Sequence, residues 1–168
     1  MKLDDILLNI LQTKELDEKT VYQLHFKAYY KDIQVKYCGW NNQKIKRMYN
    51  KKITSYNTND VHEDIISDTL HVELLDGYVE HYSYHSISQF IIKADHYSTL
   101  FATNNVGKKS SSPLKAILNA QYSFIKTYFF KKGFLDGYVG LIIACSHMVT
   151  NFYKYIKLYE LNKELKKR

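Results

Sequence analysis

Hydrophobic positions along the chain change their period once, and the change separates two kinds of structure. Leu3, Ile6, Leu7, Ile10 and Leu11 recur at the spacing of one helix face, with Asp4 and Asp5 in the first turn, where the helix dipole favours negative charge. From residue 20 the period drops to two. Tyr22, Leu24, Phe26 and Ala28 alternate with Gln23, His25 and Lys27, the pattern of a half-buried strand. Ile33, Val35 and Tyr37 prolong the strand signal until Gly39-Trp40-Asn41-Asn42 breaks it. Further short strands are predicted over 45–49, 70–75 and 78–82, the last two separated by a turn at Asp76-Gly77.

Beyond residue 85 the period is helical. Ser86 with Gln89 three positions on forms a capping box, and Ile87, Phe90, Ile91, Ala94, Tyr97 and Phe101 follow as an apolar stripe. Residues 104–113 are a polar loop containing Gly107, Lys108, Lys109 and three serines. Pro113 suits the first position of a second helix, with the stripe Leu114, Ile117, Leu118, Ile125, Tyr128 and Phe129. Gly133, Gly137 and Gly140 interrupt it, and a third helix is predicted from about Tyr138 toward Leu165. The fold class is therefore α+β: a piece of a mixed sheet over 1–103, then a helical region over 104–168.

Charge sharpens that division. The 168 residues carry a net +7, but residues 1–107 hold 12 Lys+Arg against 14 Asp+Glu, whereas 108–168 hold 12 against 3. A basic region beside a near-neutral one points to a polyanionic partner, an anionic membrane surface or nucleic acid. The two cysteines, Cys38 and Cys145, have no spacing for a disulfide framework or a zinc site, which fits a reduced cytoplasmic compartment. No signal-peptide pattern is expected, and the longest nearly apolar run, 139–145, is short for a bilayer span.

Three clusters carry candidate chemistry. Val61-His62-Glu63-Asp64 lies between strand-like segments, where a carboxylate can take the proton of a sugar hydroxyl; acidic residues near a helix start more often serve as caps or solvated charge. His81-Tyr82-Ser83-Tyr84-His85-Ser86 precedes a capped helix, and His81 could bind a divalent metal or a phosphate, or be a hydrogen-bonded structural residue. In the helical region Lys126, Lys131, Lys132, Lys154 and Lys157 alternate with Phe and Tyr. That composition suits the interface plane of an anionic membrane and equally a small bundle whose stripe is core. No nucleic-acid motif accompanies the lysines, and none is expected to be bound.

In combination these strings resemble the C-terminal two-thirds of bacterial family-2 (GT-A type) glycosyltransferases that build the inner core of lipopolysaccharide. Gly39-Trp40 followed by Arg47-Met48-Tyr49 is similar to that family's Gly-Trp…Arg-Leu-Phe segment. Val61-His62-Glu63 matches its Val-His-Glu, and His81-Tyr82-Ser83-Tyr84 with Ser86, Lys93 and Tyr97-Ser98 its helix entry. Lys132-Gly133-Phe134-Leu135-Asp136-Gly137 with Gly140-Leu141 resembles its Lys-Gly-Phe-Leu-Asp-Gly turn. The resemblance implies an inverting transfer from a nucleotide-sugar to a lipid-linked saccharide acceptor, with Glu63 as base and Asp64 as its neighbour. It implies His81 in the shell of a divalent metal (Mg or Mn) if the donor half is supplied, and Trp40, Arg47, His62, Tyr82 and Tyr84 as acceptor or donor contacts. The enzyme would work from the cytoplasm, peripherally on the inner membrane. Members of the family also carry a nucleotide-binding βαβ region and an Asp-x-Asp motif. This chain is expected to lack that donor-binding half, as a truncated product or a piece that needs its other half. Asp4-Asp5 precede a helix rather than follow a strand and are not expected to hold metal. Residues 1–85 are then expected to form an incomplete GT-A-type sheet with an open edge. The rival reading is a non-catalytic membrane-surface or interaction module.

Overall fold

The computed structural model describes residues 1–41, 43–57 and 64–167. It is α+β, and the chain divides into two compact units: residues 1–29 with 40–82, and residues 30–39 with 83–168. The strands are β1 (Lys2–Leu3), β2 (Thr20–Tyr30), β3 (Ile33–Gln34), β4 (Gln43–Met48) and β5 (His71–Tyr84), in a sheet of order β1-β5-β2-β3 with β4 also paired to β2.

In the first unit, helix α1 (Asp5–Thr13) packs Leu7 against the apolar side of the sheet, where Tyr22, Leu24, Phe26, Leu75 and Val79 are buried. The alternation along β2 places its side chains as the period-two pattern predicts. Two local readings change. Asp76-Gly77 is no turn: β5 runs unbroken for 14 residues through it. Gly77, at φ +87°, is needed for close approach, because a Cβ there would lie 2.5 Å from Asp4 Oδ1 and 2.8 Å from the Leu7 nitrogen. The helix begins at Asp5 rather than Leu3. Asp4 is its N-cap, accepting from the Leu7 N–H at 2.9 Å, and it directly follows β1, which pairs antiparallel with β5. Asp4 thus does follow a strand, but its carboxylate is used as a cap. Only Lys2 and Leu3 flank the outer side of β5, opposite Glu80 and Val79. The rest of that edge meets no other strand among the described residues.

The second unit is built on α2 (Ile87–Asn105), α3 (Pro113–Ile125) and α4 (Gly137–Leu165), with a π-helical turn over Lys126–Phe130 and a 3-10 turn over Gly133–Asp136. The cap forms: the Ser86 hydroxyl accepts from the Gln89 N–H, while the Gln89 side chain accepts from the His85 N–H, one residue before the position a capping box uses. The buried faces match the predicted stripes only in part: Phe90 and Ala94 of the α2 stripe are buried, and none of the α3 stripe within Pro113–Ile125 is. The buried line of α2 is Phe90, Ala94, Ser98 and Ala102, while Ile87, Ile91 and Tyr97 are exposed. Helix α3 buries Ala116 and Ala120, while Leu114, Ile117, Leu118, Tyr122 and Ile125 are exposed. Small residues let helix axes approach closely, so the tightest packing falls on the faces with the least hydrophobic area.

Helix α4 is long and apolar enough to cross a bilayer by length and composition, with an 18-residue stretch of mean hydropathy 1.3. A single helix of this kind is weak ground for a span, because core helices pass the same test.

Polar contacts tie α4 to its neighbours. Lys157 bonds Asp95 at 2.6 Å and Thr99 at 2.7 Å on α2, and Asn151 donates to Ser123 on α3 at 2.9 Å. The buried Thr127 hydroxyl sits 3.0 Å from His147 Nδ1. Burial pushes the His147 pKa down to about 4, with repulsion from Lys131 and Lys154 adding to it. The unfolded imidazole, with its ordinary pKa near 6.5, then binds a proton between about pH 6.5 and 4 that the folded one does not. The stabilisation is complete above pH 6.5 and is lost as pH falls. Urea unfolding at pH 5.0 is expected to give a stability about 2 kcal/mol below that at pH 7.5. His147→Gln should remove most of that difference, and an equal pH dependence in the variant would refute the assignment.

Candidate functional site

The first unit brings several predicted residues onto one patch. The register of β2 with β4 pairs Gln23 with Lys46 and Tyr22 with Met48, leaving Arg47 as the extra residue of a β-bulge. A bulge bends the strand and re-aims the side chain it carries. Arg47 Nη1 donates to the Tyr56 hydroxyl at 3.3 Å, and its guanidinium lies 5.9 Å from the Phe26 ring. The exposed His81, on β5, meets the same ring edge-on at 6.0 Å. The buried Phe26 thus has Arg47 of β4 and His81 of β5 against its ring. Tyr49 packs edge-on against Tyr56 at 5.6 Å. Beside them a cavity of about 380 Å³ is lined by residues including Arg47, Tyr49 and Lys51 opposite Asp17 and Glu18.

Asp64 is held at the same patch, but for a structural end. Its carboxylate accepts from Lys46 Nζ at 2.8 Å and from the Ile65 N–H at 2.9 Å. The hydrogen bond from Lys46 is the chief reason its pKa lies below the usual carboxylate range. A carboxylate so held is a weaker base. With Asn57, whose N–H donates to the Asp64 carbonyl at 2.9 Å, and the bridge Tyr56↔Ile65, it joins the two chain ends on either side of 58–63. His62 and Glu63 lie outside the described residues.

The other predicted contacts separate. Tyr82 donates to Glu80 at 2.9 Å and stacks on Tyr29 at 5.1 Å, in the first unit. Trp40 is half-buried in that unit. Tyr84 belongs to the second unit, stacked flat on Phe90 at 3.8 Å with Lys93 Nζ 4.1 Å above it, and burial raises its pKa. That is a packing role at the entry of α2. Among the described residues no three of His, Cys, Asp and Glu come together to hold a metal.

The Lys-Gly-Phe-Leu-Asp-Gly segment is a clasp within the second unit. The Asp136 carboxylate accepts the backbone N–H groups of Lys36 at 3.0 Å and Tyr37 at 2.8 Å, and the Cys38 N–H donates to the Lys131 carbonyl at 3.1 Å. Cys38, at φ +60°, is buried there, and burial beside Asp136 pushes its thiol up to about 12, far from a nucleophile. Sequence reasoning noted this segment but assigned no role to Asp136; nothing local announces a partner 100 residues away. Lys46 and Tyr56 were missed for the same reason, since a bulge is a property of two strands.

Of the lysines predicted to face a membrane, Lys126, Lys131 and Lys132 are exposed. Lys154 and Lys157 are directed to α2 instead. Lys154 Nζ is 5.4 Å from the Phe101 ring, with its pKa lowered by burial, and Lys157 is ion-paired with Asp95.

The chain is 28% identical over 96% of its length to an uncharacterized glycosyltransferase of Rickettsia prowazekii, and 29% identical over 96% to one of Rickettsia typhi. It is 27% identical over 99% of its length to a third, of Rickettsia felis. It spans 58–61% of the length of these relatives. It matches no protein-family profile and no solved structure.

Proposed function

We propose that this chain is the acceptor-side, C-terminal portion of a family-2 glycosyltransferase that moves a sugar from a nucleotide-sugar to a lipopolysaccharide core or related cell-surface glycan. The observation that carries the reading is the similarity of nearly the whole chain to proteins named glycosyltransferases, of which it spans about three-fifths. The largely unflanked outer edge of β5 supports it, because further strands of a larger sheet could pair there. In this reading Glu63 takes the proton of the acceptor hydroxyl. The hydroxyl oxygen forms a bond to the anomeric carbon, and the nucleoside diphosphate leaves with the electrons of the broken glycosidic bond. Asp64 is a tether and Arg47 an anion or saccharide contact beside the 380 Å³ cavity. If the donor half is supplied, His81 would help to hold a divalent metal, which would stabilise the departing diphosphate.

The enzyme would meet a lipid-linked acceptor at the inner membrane through α3. Leu114, Ile117, Leu118, Tyr122, Ile125 and Phe129 are 44–65% exposed on one helix face, with Lys126, Lys131 and Lys132 also exposed. An exposed apolar face with a basic fringe fits the interface of an anionic bilayer. The same face also favours the second reading, a membrane-surface module without catalysis.

A chimera separates the two. This chain replaces the matching segment of the Rickettsia prowazekii protein, and release of nucleoside diphosphate is followed with a panel of nucleotide-sugars and an inner-membrane lipid acceptor. The chimera is expected to turn over, Glu63→Gln to slow it at least ~100-fold, and Asp64→Asn to slow it less than ~10-fold. A folded but inert chimera beside an active parent would refute the catalytic reading and leave the membrane module.

A further inference from the structure

At the far end of the second unit, a cavity of about 550 Å³ opens between residues 107–111 and the end of α4. Lys108 and Lys109 reach it from the loop, and Lys163 and Lys166 from the helix, with Ser110 and Tyr159 between. No carboxylate stands among the described lining residues, although Glu160 and Glu164 lie on the same helix. Lys163 and Lys166 form no ion pair among the described residues. Four lysines line one hollow, and like charges brought together cost repulsion unless an anion is present; the Lys108 ammonium is meanwhile held by the Asn104 carbonyl at 3.1 Å, and the Lys109 ammonium lies 5.5 Å from the Phe101 ring.

The loop that presents them is fixed in place. The Asn162 side chain accepts from the Gly107 N–H at 2.8 Å and donates to the Lys109 carbonyl at 2.8 Å. The Lys108 and Lys109 N–H groups both bond the Asn105 carbonyl, at 3.0 and 3.1 Å, and the Ser111 hydroxyl donates to the Tyr155 carbonyl at 2.6 Å. One amide side chain therefore joins loop to helix through both its acceptor and its donor. Gly107 adopts φ +72°, a turn few other residues accept. A backbone held this firmly, with lysines on its rim, suits a tetrahedral anion approached from several sides.

We propose that this cavity is a binding site for a phosphomonoester or diphosphate group. The anion sits among Lys108, Lys109, Lys163 and Lys166, and Asn162 preorganises the loop without touching it. This does not depend on the glycosyltransferase reading, whose candidate residues lie in the first unit. The phosphate can belong to a soluble compound or to a lipid headgroup.

The whole chain is titrated with inorganic pyrophosphate by calorimetry at low salt. It is also sedimented with phosphatidylcholine vesicles with and without 10% phosphatidic acid, which exposes a phosphomonoester. Lys108→Ala with Lys163→Ala is expected to weaken the phosphate-dependent binding at least ~10-fold. Lys44→Ala with Lys52→Ala, an equal loss of charge on the first unit, should change it less than ~2-fold. Asn162→Ala, which keeps every charge, should weaken it ~3-fold or more through the freed loop. Circular dichroism checks the fold of each variant. Loss of the pyrophosphate signal in the cavity variant identifies a soluble ligand; loss of only the phosphatidic acid increment identifies a headgroup. Either supports the site. Binding of neither probe, or equal losses in the cavity and control variants, overturns it.

Discussion

Gly140→Ala is expected to unfold the helical unit. Gly140 lies in the first turn of α4, where a Cβ would fall inside the van der Waals radius of the Gly133 carbonyl oxygen and 2.7 Å from its carbon. The obstacle is backbone, so no rotamer change relieves it. Gly133 cannot retreat, because its own Cα already abuts the Thr127 carbonyl and the Cys38 sulfur; a Cβ there would meet them at 2.8 and 2.9 Å. Overpacking against side chains commonly costs 1–3 kcal/mol, and here the expected cost is about 3–5 kcal/mol, a large share of a domain's 5–15. A fall in Tm of roughly 10 °C or more should follow in a thermal melt of the whole chain. A melt within ~2 °C of the parent would mean the two glycines are not in contact and the clasp around Asp136 is misplaced.

Ile117→Asp with Ile125→Asp should abolish binding to anionic vesicles while leaving the melt unchanged. Both side chains are about half exposed, so their loss removes little folding energy. In the bilayer interface each can bury only its exposed half, worth roughly 1 kcal/mol, and two new carboxylates add a desolvation cost and repulsion from the anionic lipid. Together the substitutions should weaken partitioning into vesicles containing phosphatidylglycerol by ~100-fold or more. Lys126→Gln with Lys132→Gln should act more mildly, about tenfold at low salt, and the effect should shrink as salt screens it. Unchanged partitioning in the isoleucine pair would show that the outer face of α3 is not what touches the membrane.

The α3 helix shows most clearly where a sequence is legible and where it is not. Its spacing put Leu114, Ile117, Leu118, Ile125, Tyr128 and Phe129 in one stripe; the first four are exposed together on α3, while Tyr128 is half-buried and lies with Phe129 in the π-helical turn beyond it. Whether that face was core or interface stayed open, because period reports which residues lie together and not which way they point. The same limit appears at Gly77. The pair Asp-Gly carries a turn signal, yet the approach of Asp4 and Leu7 required the glycine within a continuous strand. At the candidate site, Arg47 was visible in the sequence only through resemblance. Its bulge, its contact with Tyr56 and its shared ring with His81 arise from strand pairing.

What the sequence determined by itself is therefore local: the switch from period two to helical period, the Ser86 cap, the proline start of α3, and the basic charge of the last third. These depend on neighbours a few positions apart, whose chemistry the chain order states outright. The orientation of the α3 stripe, the Asp136 clasp, the Lys46 hold on Asp64 and the convergence of four lysines around one cavity were decided only by the tertiary structure. Each depends on which distant segments approach closely. In the helical unit that was governed by the small residues Ala116, Ala120, Gly133 and Gly140, whose lack of side-chain bulk lets backbones meet.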